Sequence, residues 1–356
     1  MRIIHVITTI ERGGAEKQLL VLVREQIKAG NHLEVFYLKG KPELRGEFET
    51  SGAYVDGTRN TLLSIIKLAI HSLRWNSPDT IIHAHLPAAE LVSALLKRKI
   101  ALVVSRHNTQ RFLDSNPRLS MKLAKYVESR AAMCIAISRS VATFLQQTGE
   151  WQNIGTLKTV LYGSDISLRN TSVSLKSKEF LNYLFVGRLV PQKDLPTLLQ
   201  AFFEHLKNYP QDKLTIVGEG QMRSELHLLA EKIGLRKNIF WAGKVSDLNS
   251  YYAQHDVFVL TSKYEGFGLV LLEALSNSLP ILATRSSAIP EVLGADHSGL
   301  FPIGDSRALS ELMGKVHDLG FRNTLLSEQM GRLALFDPQK MSSDIDSIYL
   351  EILKKA

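Results

Sequence analysis

The stretch RIIHVITTIERGGAEKQLLVLVREQIKAG, residues 2–30, contains one complete strand, turn and helix. RIIHVITTI (2–10) is a short, β-branched apolar run that is typical of a buried strand, and Gly13-Gly14 then interrupts the pattern. AEKQLLVLVREQIKAG (15–30) has the apolar period of an amphipathic helix and ends at Gly30. A strand followed by a helix is the unit from which parallel α/β sheets are built.

The same unit repeats along the chain. In the first half, further strands are predicted at LEVFYL (33–38), TIIHAHL (80–86), ALVVSRH (101–107) and MCIAIS (133–138). A polar, serine-rich segment at 163–180 then predicts a linker. After it, strands are predicted at NYLFVGRL (182–189), KLTIVGEG (213–220), NIFWAG (238–243), DVFVLTS (256–262) and LPILATR (279–285).

These repeats predict an α/β protein with two doubly wound, Rossmann-like domains that face a cleft. The first would cover residues 1–165 and the second residues 166–339, and a last helix at 340–356 is expected to pack back on the first domain. A length of 356 residues agrees with two domains. Ligand-binding loops are expected at the carboxyl ends of the strands in each half.

The composition favours an ordinary globular protein, with 45% hydrophobic and 22% charged residues. No apolar run reaches the roughly 18 residues of a membrane span. The first ten residues predict a strand better than a signal peptide. The single cysteine, Cys134, excludes an internal disulfide and a cysteine-based metal site within this sequence, and its apolar neighbours predict a place in the core. A reducing cytoplasm is expected.

The net charge of +8 is concentrated in the first half. Residues 1–165 contain 22 Lys and Arg against 14 Asp and Glu, whereas residues 166–356 contain 21 of each. The excess indicates an anionic partner. We find no nucleic-acid-binding motif and therefore favour an anionic membrane surface, contacted by Arg118, Lys122 and Lys125 on one helix face. An ordinary solvated basic face remains the alternative.

The loop GRLVPQKD (187–194) contains two cations, Arg188 and Lys193, directly after a predicted strand. A guanidinium and an ammonium on such a loop suit a diphosphate. Further along, Gly266 and Gly268 permit close backbone approach, and a helix that starts near Phe267 would direct free N–H groups at an anion. We therefore expect the phosphates to lie among these groups.

Two carboxylates, Glu265 and Glu273, lie eight residues apart in YEGFGLVLLEALS (264–276). On a helix this separation is about 12 Å, too long for two ligands of one ion. It is about the reach from a ribose across a diphosphate to a sugar. The two acids are therefore predicted to bracket a nucleotide sugar.

With these motifs, residues 183–305 resemble the donor-binding domain of the retaining GT-B glycosyltransferases of the large family four, or group 1. This family includes bacterial transferases of cell-surface glycans. The resemblance rests on the glutamate, seven residues and glutamate from Glu265 to Glu273, with GRL and QKD upstream, VGEG at 217–220 and PEV at 290–292. The first half matches through RGGAEK (12–17), DTIIHAH (79–85), SRHN (105–108), AISRS (136–140) and YGSD (162–165).

The resemblance implies a role for each matching position. Arg188 and Lys193 would neutralise the diphosphate leaving group, Glu273 would accept hydrogen bonds from the ribose, and Glu265 would contact the transferred sugar. Two departures concern Ser287-Ala288-Ile289, where the family often has two glycines, and Tyr162, where it often has asparagine.

In the first domain, Gly13 and Gly14 would let the backbone approach the donor and acceptor, and His107 would line the acceptor side near the reacting carbon. His83 and His85 alternate along one strand and are expected to point to opposite faces, with His85 the better cleft candidate. His5 lies within the first strand, and we expect no function for it.

The family retains the anomeric configuration by front-face attack, in which the departing phosphate takes the proton of the acceptor. It needs neither metal nor other cofactor. The one Asp-x-Asp of the sequence, Asp344 to Asp346, is expected to cap the last helix. The donor is expected to be a UDP-sugar in preference to a GDP-sugar. The acceptor would be a lipid-linked glycan of O-antigen, capsule or lipopolysaccharide assembly, at the cytoplasmic face of the membrane.

Three alternatives remain open from the sequence. A sugar-nucleotide 2-epimerase shares the architecture, although YEGFGLVLLE does not resemble its site. A non-catalytic partner subunit would retain the fold for assembly. A nucleic-acid binder is the weakest alternative, and it would show an affinity that falls steeply with salt.

Overall fold

The computed structural model describes residues 1–75, 77–96, 100–164, 176–245 and 247–355. The chain divides into two compact units, Met1–Asp165 with Phe336–Ala356, and Ile166–Leu335. The segment that returns to the first unit thus begins at Phe336, before the predicted position 340. Most of the predicted linker at 163–180 lies outside the described residues.

The first unit contains a seven-stranded sheet in which every neighbouring pair is parallel. Its strands are β1 (Arg2–Ile7), β2 (His32–Tyr37), β3 (Tyr54–Gly57), β4 (Thr80–His85), β5 (Ala101–Arg106), β6 (Met133–Ala136) and β7 (Leu157–Thr159). The spatial order is β3-β2-β1-β4-β5-β6-β7, so the direction of winding reverses between β1 and β4. Ligands of doubly wound sheets bind at the carboxyl ends of the strands near this reversal.

Helices connect these strands and cover the sheet. They are α1 (Gly14–Lys28), α2 (Arg45–Thr50), α3 (Thr61–Ser72), α4 (Pro87–Leu95), α5 (Pro117–Arg130) and α6 (Arg139–Thr148), with a single 3₁₀ turn at Ile154–Thr156. Cys134 is buried in β6, as predicted, and burial raises the pKa of its thiol. Among the described residues, no helix combines the length and apolarity needed to traverse a bilayer.

The second unit repeats the design with a six-stranded parallel sheet in the order β10-β9-β8-β11-β12-β13. The strands are β8 (Asn182–Val186), β9 (Lys213–Val217), β10 (Ile239–Gly243), β11 (Val257–Leu260), β12 (Ile281–Thr284) and β13 (Leu300–Phe301). The helices are α7 (Leu195–His205), α8 (Arg223–Lys232), α9 (Asn249–Gln254), α10 (Leu269–Ser276), α11 (Ile289–Leu293), α12 (Ser306–Lys315) and α13 (Leu319–Gln329), with 3₁₀ turns at Pro191–Lys193 and Leu333–Phe336. Winding reverses between β8 and β11.

The last helix, α14 (Pro338–Lys355), belongs to the first unit and packs against α1. Its start at Pro338, two residues before the predicted range, corrects the interpretation of Asp344 and Asp346. Both lie inside the helix and cannot cap it. Asp344 pairs with Lys340, while Asp346 accepts hydrogen bonds from Gln26 and Asn31.

Candidate functional site

The loop after β8 lies against the loop after β9 with backbone touching backbone. A Cβ atom at Gly218 would lie 1.9 Å from the carbonyl oxygen of Gly187, and one at Gly220 would lie 2.3 Å from that of Leu189. Gly218 also has φ of +140°, a conformation that favours glycine. Because Gly218 and Gly220 have no side chains, the loop that contains Arg188 can pack directly against the loop after β9.

The two predicted diphosphate cations have different environments. Arg188 is exposed, and among the described residues its guanidinium makes no hydrogen bond or ion pair. Lys193 is buried, at the end of the short turn before α7, and its Nζ contacts the carboxylate of Glu265. One cation is thus available to a ligand, while the other is already neutralised by a predicted site residue.

The pair of Lys193 and Glu265 connects the loops that follow β8 and β11, the two strands at the reversal of winding. Ser262 Oγ donates to Glu265 Oε1 at 2.6 Å, and Thr261 Oγ1 donates to the Lys193 carbonyl at 2.8 Å. Gln192 Nε2 donates to the carbonyl of Tyr264 at 2.8 Å. These bonds hold Glu265 in one orientation, and the loops form a single rigid surface at this edge of the sheet.

The helix after Glu265 begins two residues later than predicted. Phe267 is buried and precedes it, Gly268 occupies the N-cap position with φ of +88°, and α10 starts at Leu269. The left-handed conformation of Gly268 ends the loop and determines where α10 begins. No side chain caps this end, so its first N–H groups remain available to an anion.

Glu273 lies one turn into α10 and is half-buried. Its Oε2 accepts a hydrogen bond of 2.8 Å from the hydroxyl of Tyr252, a buried side chain of α9. Burial and the Glu273 charge raise the pKa of Tyr252 well above its ordinary value, so the hydroxyl stays a donor. The second predicted carboxylate is therefore also held in a fixed orientation.

In the first unit, the predicted glycines begin α1. Gly13 is the N-cap residue and Gly14 the first helical residue. A Cβ atom at Gly13 would lie 2.3 Å from Oε2 of Glu16, whose other oxygen accepts a bond of 2.6 Å from Thr9. The absence of a side chain at Gly13 thus leaves room for the Glu16 carboxylate and for close backbone approach.

The histidines of this unit form one hydrogen-bonded chain. His5 Nδ1 contacts His85 Nε2 at 2.9 Å, and His85 Nδ1 contacts His107 Nε2 at 3.1 Å. His107 Nδ1 contacts the hydroxyl of Tyr162. His5, for which we expected no function, is a member of this chain, and nothing in the sequence shows which strand side chains meet.

The prediction that His83 and His85 point to opposite faces was wrong. Residues two apart on a strand lie on the same face, and the ring centroids are 4.1 Å apart. His83 contacts the hydroxyls of Tyr349 and Ser105, which lie deeper in the unit. Both histidines are buried, and His85 is the one that leads to the half-buried His107.

The donors and acceptors of this hydrogen-bonded chain run in one direction, because the chain ends at the side-chain amide of Gln26. Gln26 Nε2 donates to Asp346 Oδ1 at 2.8 Å, so Gln26 Oε1 must accept from His5 Nε2, also at 2.8 Å. His5 Nδ1 then accepts from His85 and, in turn, His85 Nδ1 accepts from His107. The Nδ1 atom of His107 is left as the acceptor of the Tyr162 hydroxyl. Asp346 on α14 thus sets the tautomer of His107.

These histidines are neutral in the folded protein. Burial lowers the pKa of His5 to about 4, and burial with the adjacent Arg106 charge lowers that of His107 to about 3. Burial likewise holds the pKa of His83 and His85 well below 6.5. His107 therefore presents a neutral ring, whose Nδ1 can accept a hydrogen bond.

A buried ion cluster positions His107 from the other side. Arg106 Nε lies 2.7 Å from Glu90 Oε2, and Arg106 Nη1 lies 3.1 Å from Glu150 Oε2. Ser120 donates to Glu150 at 2.7 Å. The residue before His107 is therefore held at the end of β5, and the cluster also connects that end to α4 and α5.

Two groups could supply three metal ligands among the described residues: His5, His83 and His85, and His205, Asp212 and His317. Every ring nitrogen of the first group already has a hydrogen-bond partner. In the second, both Nε2 atoms contact Asp212 Oδ2, at 2.7 and 2.8 Å. In both groups protein contacts already account for the arrangement.

Sequence reasoning missed Tyr252, Tyr162, Gln26 and Asp346 as neighbours of the predicted site residues. Tyr162 was identified only as a departure from the family pattern. Ser287, the other departure, has φ of +44°, and Ala288 beside it is fully buried. No periodicity or spacing in the sequence reports such contacts, because each joins residues from distant segments.

Comparison with known proteins assigns both units to glycosyltransferase domains. Residues 12–154 match the model for Glycosyltransferase Family 4, and residues 169–328 match that for Glycosyl transferases group 1. The chain therefore contains the two family domains in tandem, one in each unit.

Individual relatives agree. The chain is 24% identical over 308 residues to N-acetyl-alpha-D-glucosaminyl L-malate synthase of Bacillus anthracis, with 81% of this chain and 78% of that protein covered. It is 30% identical over 145 residues to the lipopolysaccharide core biosynthesis glycosyltransferase LpsE of Rhizobium meliloti (strain 1021), with 40% and 42% covered.

Among solved structures, Anabaena HepE in complex with UDP-glucose matches with a TM-score of 0.83 and 22% identity, over 99% of this chain and 100% of that one. The predicted fold, two parallel-sheet Rossmann-like domains of the GT-B type, is thereby confirmed.

Proposed function

We propose that the protein is a retaining glycosyltransferase that uses a nucleoside-diphosphate sugar, with UDP as the nucleotide. The observation that carries the proposal is the surface formed by the loops after β8 and β11. It combines Arg188, which is exposed and makes no hydrogen bond or ion pair with any residue that the structure describes, with a buried Lys193–Glu265 pair and the start of α10, which has no side-chain cap. HepE, whose fold the chain shares, was solved with UDP-glucose, which supports UDP as the donor nucleotide.

In the proposed reaction, the acceptor hydroxyl attacks the anomeric carbon as the bond from that carbon to the phosphate oxygen breaks. The departing diphosphate takes the acceptor proton, and the products are UDP and a glycoside with the donor's anomeric configuration. Arg188, Lys193 and the N–H groups of α10 stabilise the charge that develops on the leaving group. Glu265 contacts the transferred sugar, and Glu273 accepts from the ribose.

The first unit supplies the acceptor side. Gly13 and Gly14 leave the backbone at the start of α1 accessible, and the neutral His107 faces Tyr162 with an acceptor nitrogen. We propose a hydrogen bond from an acceptor hydroxyl to this nitrogen, in exchange for Tyr162.

The proposed acceptor is a lipid-linked glycan of O-antigen, capsule or lipopolysaccharide assembly at the cytoplasmic face of a membrane. The similarity to LpsE supports this class. Arg118, Lys122 and Lys125 are exposed on α5, opposite the buried Ser120, Ala124 and Val127, and would contact anionic lipid. Charge reversal at all three is expected to weaken co-sedimentation with anionic vesicles.

We propose that no metal takes part. Asp344 and Asp346, the one Asp-x-Asp of the sequence, are engaged by Lys340, Gln26 and Asn31 in α14. The cations of the donor loop would take the role that a metal has in other transferases. Added EDTA should leave transfer unchanged, and a loss of activity that Mg²⁺ or Mn²⁺ restores would contradict this part.

The test is a transfer assay with a panel of UDP- and GDP-sugars and lipid-linked acceptors, in which the anomeric configuration of the product is read by NMR. We expect one UDP-sugar to support transfer with retention. Glu265→Gln should abolish transfer, whereas Glu231→Gln, at an exposed position of α8, should not. An inverted product would overturn the retaining mechanism. Conversion of a donor to its 2-epimer without acceptor would favour the epimerase.

A further inference from the structure

Helix α3, which follows the edge strand β3, has an inverted amphipathic pattern. Its buried residues are Ser64, Leu68 and Ser72, at i, i+4 and i+8. Its exposed residues include Leu62, Leu63, Ile66, Ile70 and the C-cap residue Leu73, with exposed fractions between 46% and 69%. A surface helix of a globular protein shows the reverse, with apolar residues inward and polar residues outward.

The apolar residues form one continuous stripe. At about 100° per residue, Leu62, Ile66 and Leu73 lie along one line of the helix, and Leu63 and Ile70 lie beside it. The stripe is directly opposite the buried serines. Since solvent-facing apolar patches of this kind mark protein or membrane interaction sites, the outer face of α3 is a candidate interaction surface.

The charged residues in this part of the sequence are all basic. From Gly57 to Pro78 the sequence contains Arg59, Lys67 and Arg74 but no Asp or Glu. Lys67 and Arg74 flank one side of the stripe and are exposed. Lys67 Nζ lies 3.0 Å from Asp56, a buried carboxylate that also lies 3.5 Å from His71 Nε2.

We infer that the outer face of α3 inserts into the interfacial region of an anionic lipid bilayer. An apolar stripe beside basic side chains is the pattern of an interfacial helix, in which the apolar residues enter the acyl boundary and the cations contact lipid phosphates. The excess of basic residues in this half of the chain also favours binding to an anionic surface. A second copy of the chain is the competing occupant of this face, and the oligomeric state of the variant below tests it.

The inference goes beyond the electrostatic contact proposed for α5, since it assigns the apolar part of membrane binding to a different helix. The proposed membrane-bound acceptor supplies only the biological reason for this membrane binding. Vesicle binding is measured without donor or acceptor, so failure of this inference and failure of the transferase proposal are distinguishable.

The experiment is flotation of the full chain with vesicles of phosphatidylcholine, with and without phosphatidylglycerol. The wild type should bind the anionic vesicles, less strongly at raised salt. Ile66→Gln/Ile70→Gln should lower the partition coefficient about tenfold or more, because two side chains no longer transfer from water. The matched control, Leu228→Gln/Leu350→Gln, alters two equally exposed leucines on α8 and α14 and should leave binding unchanged.

A second measurement locates the helix in the bilayer. Because Cys134 is buried, Leu63→Cys can be labelled alone with an environment-sensitive fluorophore on the folded chain. A blue shift with anionic vesicles supports insertion. Wild-type binding that Ile66→Gln/Ile70→Gln does not change, with no blue shift, overturns the inference. A wild type that binds no vesicles also overturns it, and a dimer that this variant dissociates would assign the face to a second copy.

Discussion

At the residue scale, Lys193 is a charge that the protein neutralises before any ligand binds. Its ammonium group is buried against Glu265 and could not remain there alone, because an uncompensated buried charge is strongly destabilising. A diphosphate would replace or share the carboxylate as the partner. Arg188, on the same loop, is exposed and contributes its whole interaction only when a ligand is bound.

Glu265→Gln should therefore destabilise the second unit. The free energy of unfolding is expected to fall by about 3 kcal/mol, since Lys193 loses its counter-charge. The measurement is urea denaturation, with Lys193→Met/Glu265→Gln as the control that removes both charges and should regain much of the loss. A change within about 0.5 kcal/mol for the single variant would show that the pair has no structural role.

The buried histidines predict how stability changes with pH. The pKa of His5 is about 4 in the folded protein, below its ordinary value of 6.5, so the unfolded chain binds the extra proton in the range between these values. Stability from His5 is complete above pH 6.5 and is lost as the pH falls toward 4. Glu90 acts oppositely, because burial raises its pKa to about 7.

The comparison of wild type with His5→Leu isolates this effect, since Glu90 is common to both. The unfolding free energy of the wild type should fall more steeply from pH 6.5 to 4, by about 1.4 kcal/mol per pH unit relative to the variant. His32→Gln, an exposed histidine of β2, is the control. Parallel pH curves for wild type and His5→Leu would contradict the neutral, buried histidine chain.

Spacing and residue type predicted four site residues, Arg188, Lys193, Glu265 and Glu273, and their role stays a prediction. The ion pair between the second and third could not be predicted, because a loop sequence does not show which charges meet. The error over His83 and His85 came from a misapplied period and not from missing information, since strand residues two apart share a face.

At the element scale, the proposed donor surface depends on glycines that let two loops touch. Gly218→Ala would place a methyl group 1.9 Å from the Gly187 carbonyl and force a side chain into φ of +140°. We expect a loss of at least about 3 kcal/mol in unfolding free energy, together with loss of nucleotide binding.

The control for this variant is Gly234→Ala, where φ is +81° but no atom lies within 4 Å of the new Cβ. It measures the left-handed cost alone, about 1 kcal/mol. Equal costs for the two variants, from thermal denaturation, would show that the loops do not touch as described.

Elements were predictable where a period was long and clear, as in α1 and in the strands of both sheets. Boundaries were less so. The start of α10 depends on the left-handed Gly268, and that of α14 on Pro338 and on packing against α1, which the spacing of Asp344 and Asp346 does not report. The inverted pattern of α3 could be recognised only after its buried face was known.

At the scale of the whole molecule, the first unit is completed by the end of the chain. Ser164 N donates to the Phe336 carbonyl at 2.8 Å. The residues at which the chain leaves the first unit and returns to it are therefore adjacent. From there α14 brings Asp346 to Gln26 and Tyr349 to His83. The unit is continuous in space but not in sequence.

A chain of residues 1–164 alone should therefore fail to fold, because α1 would expose the apolar face that α14 covers. Residues 1–164 joined to 336–356 by a two-residue Gly-Ser link should fold with one cooperative transition by circular dichroism. Cooperative unfolding of 1–164 by itself would contradict the role given to α14.

The doubly wound architecture was predictable from alternating strands and helices, because that pattern leaves few other ways to bury both faces of a parallel sheet. The contacts within the candidate site were not predictable in this way, since they join segments that are distant in the sequence and meet only in the folded protein.

The most direct test of the central claim is calorimetric titration of UDP into the wild type and Arg188→Ala. We expect UDP to bind the wild type more tightly than GDP. Arg188→Ala should bind UDP about 10- to 100-fold more weakly, as expected for one lost charge-assisted hydrogen bond. The melting temperature should not change, because the guanidinium makes no hydrogen bond or ion pair within the described part of the chain. Equal affinity of both proteins for UDP, or no affinity for any nucleoside diphosphate, would contradict the assignment of the donor site.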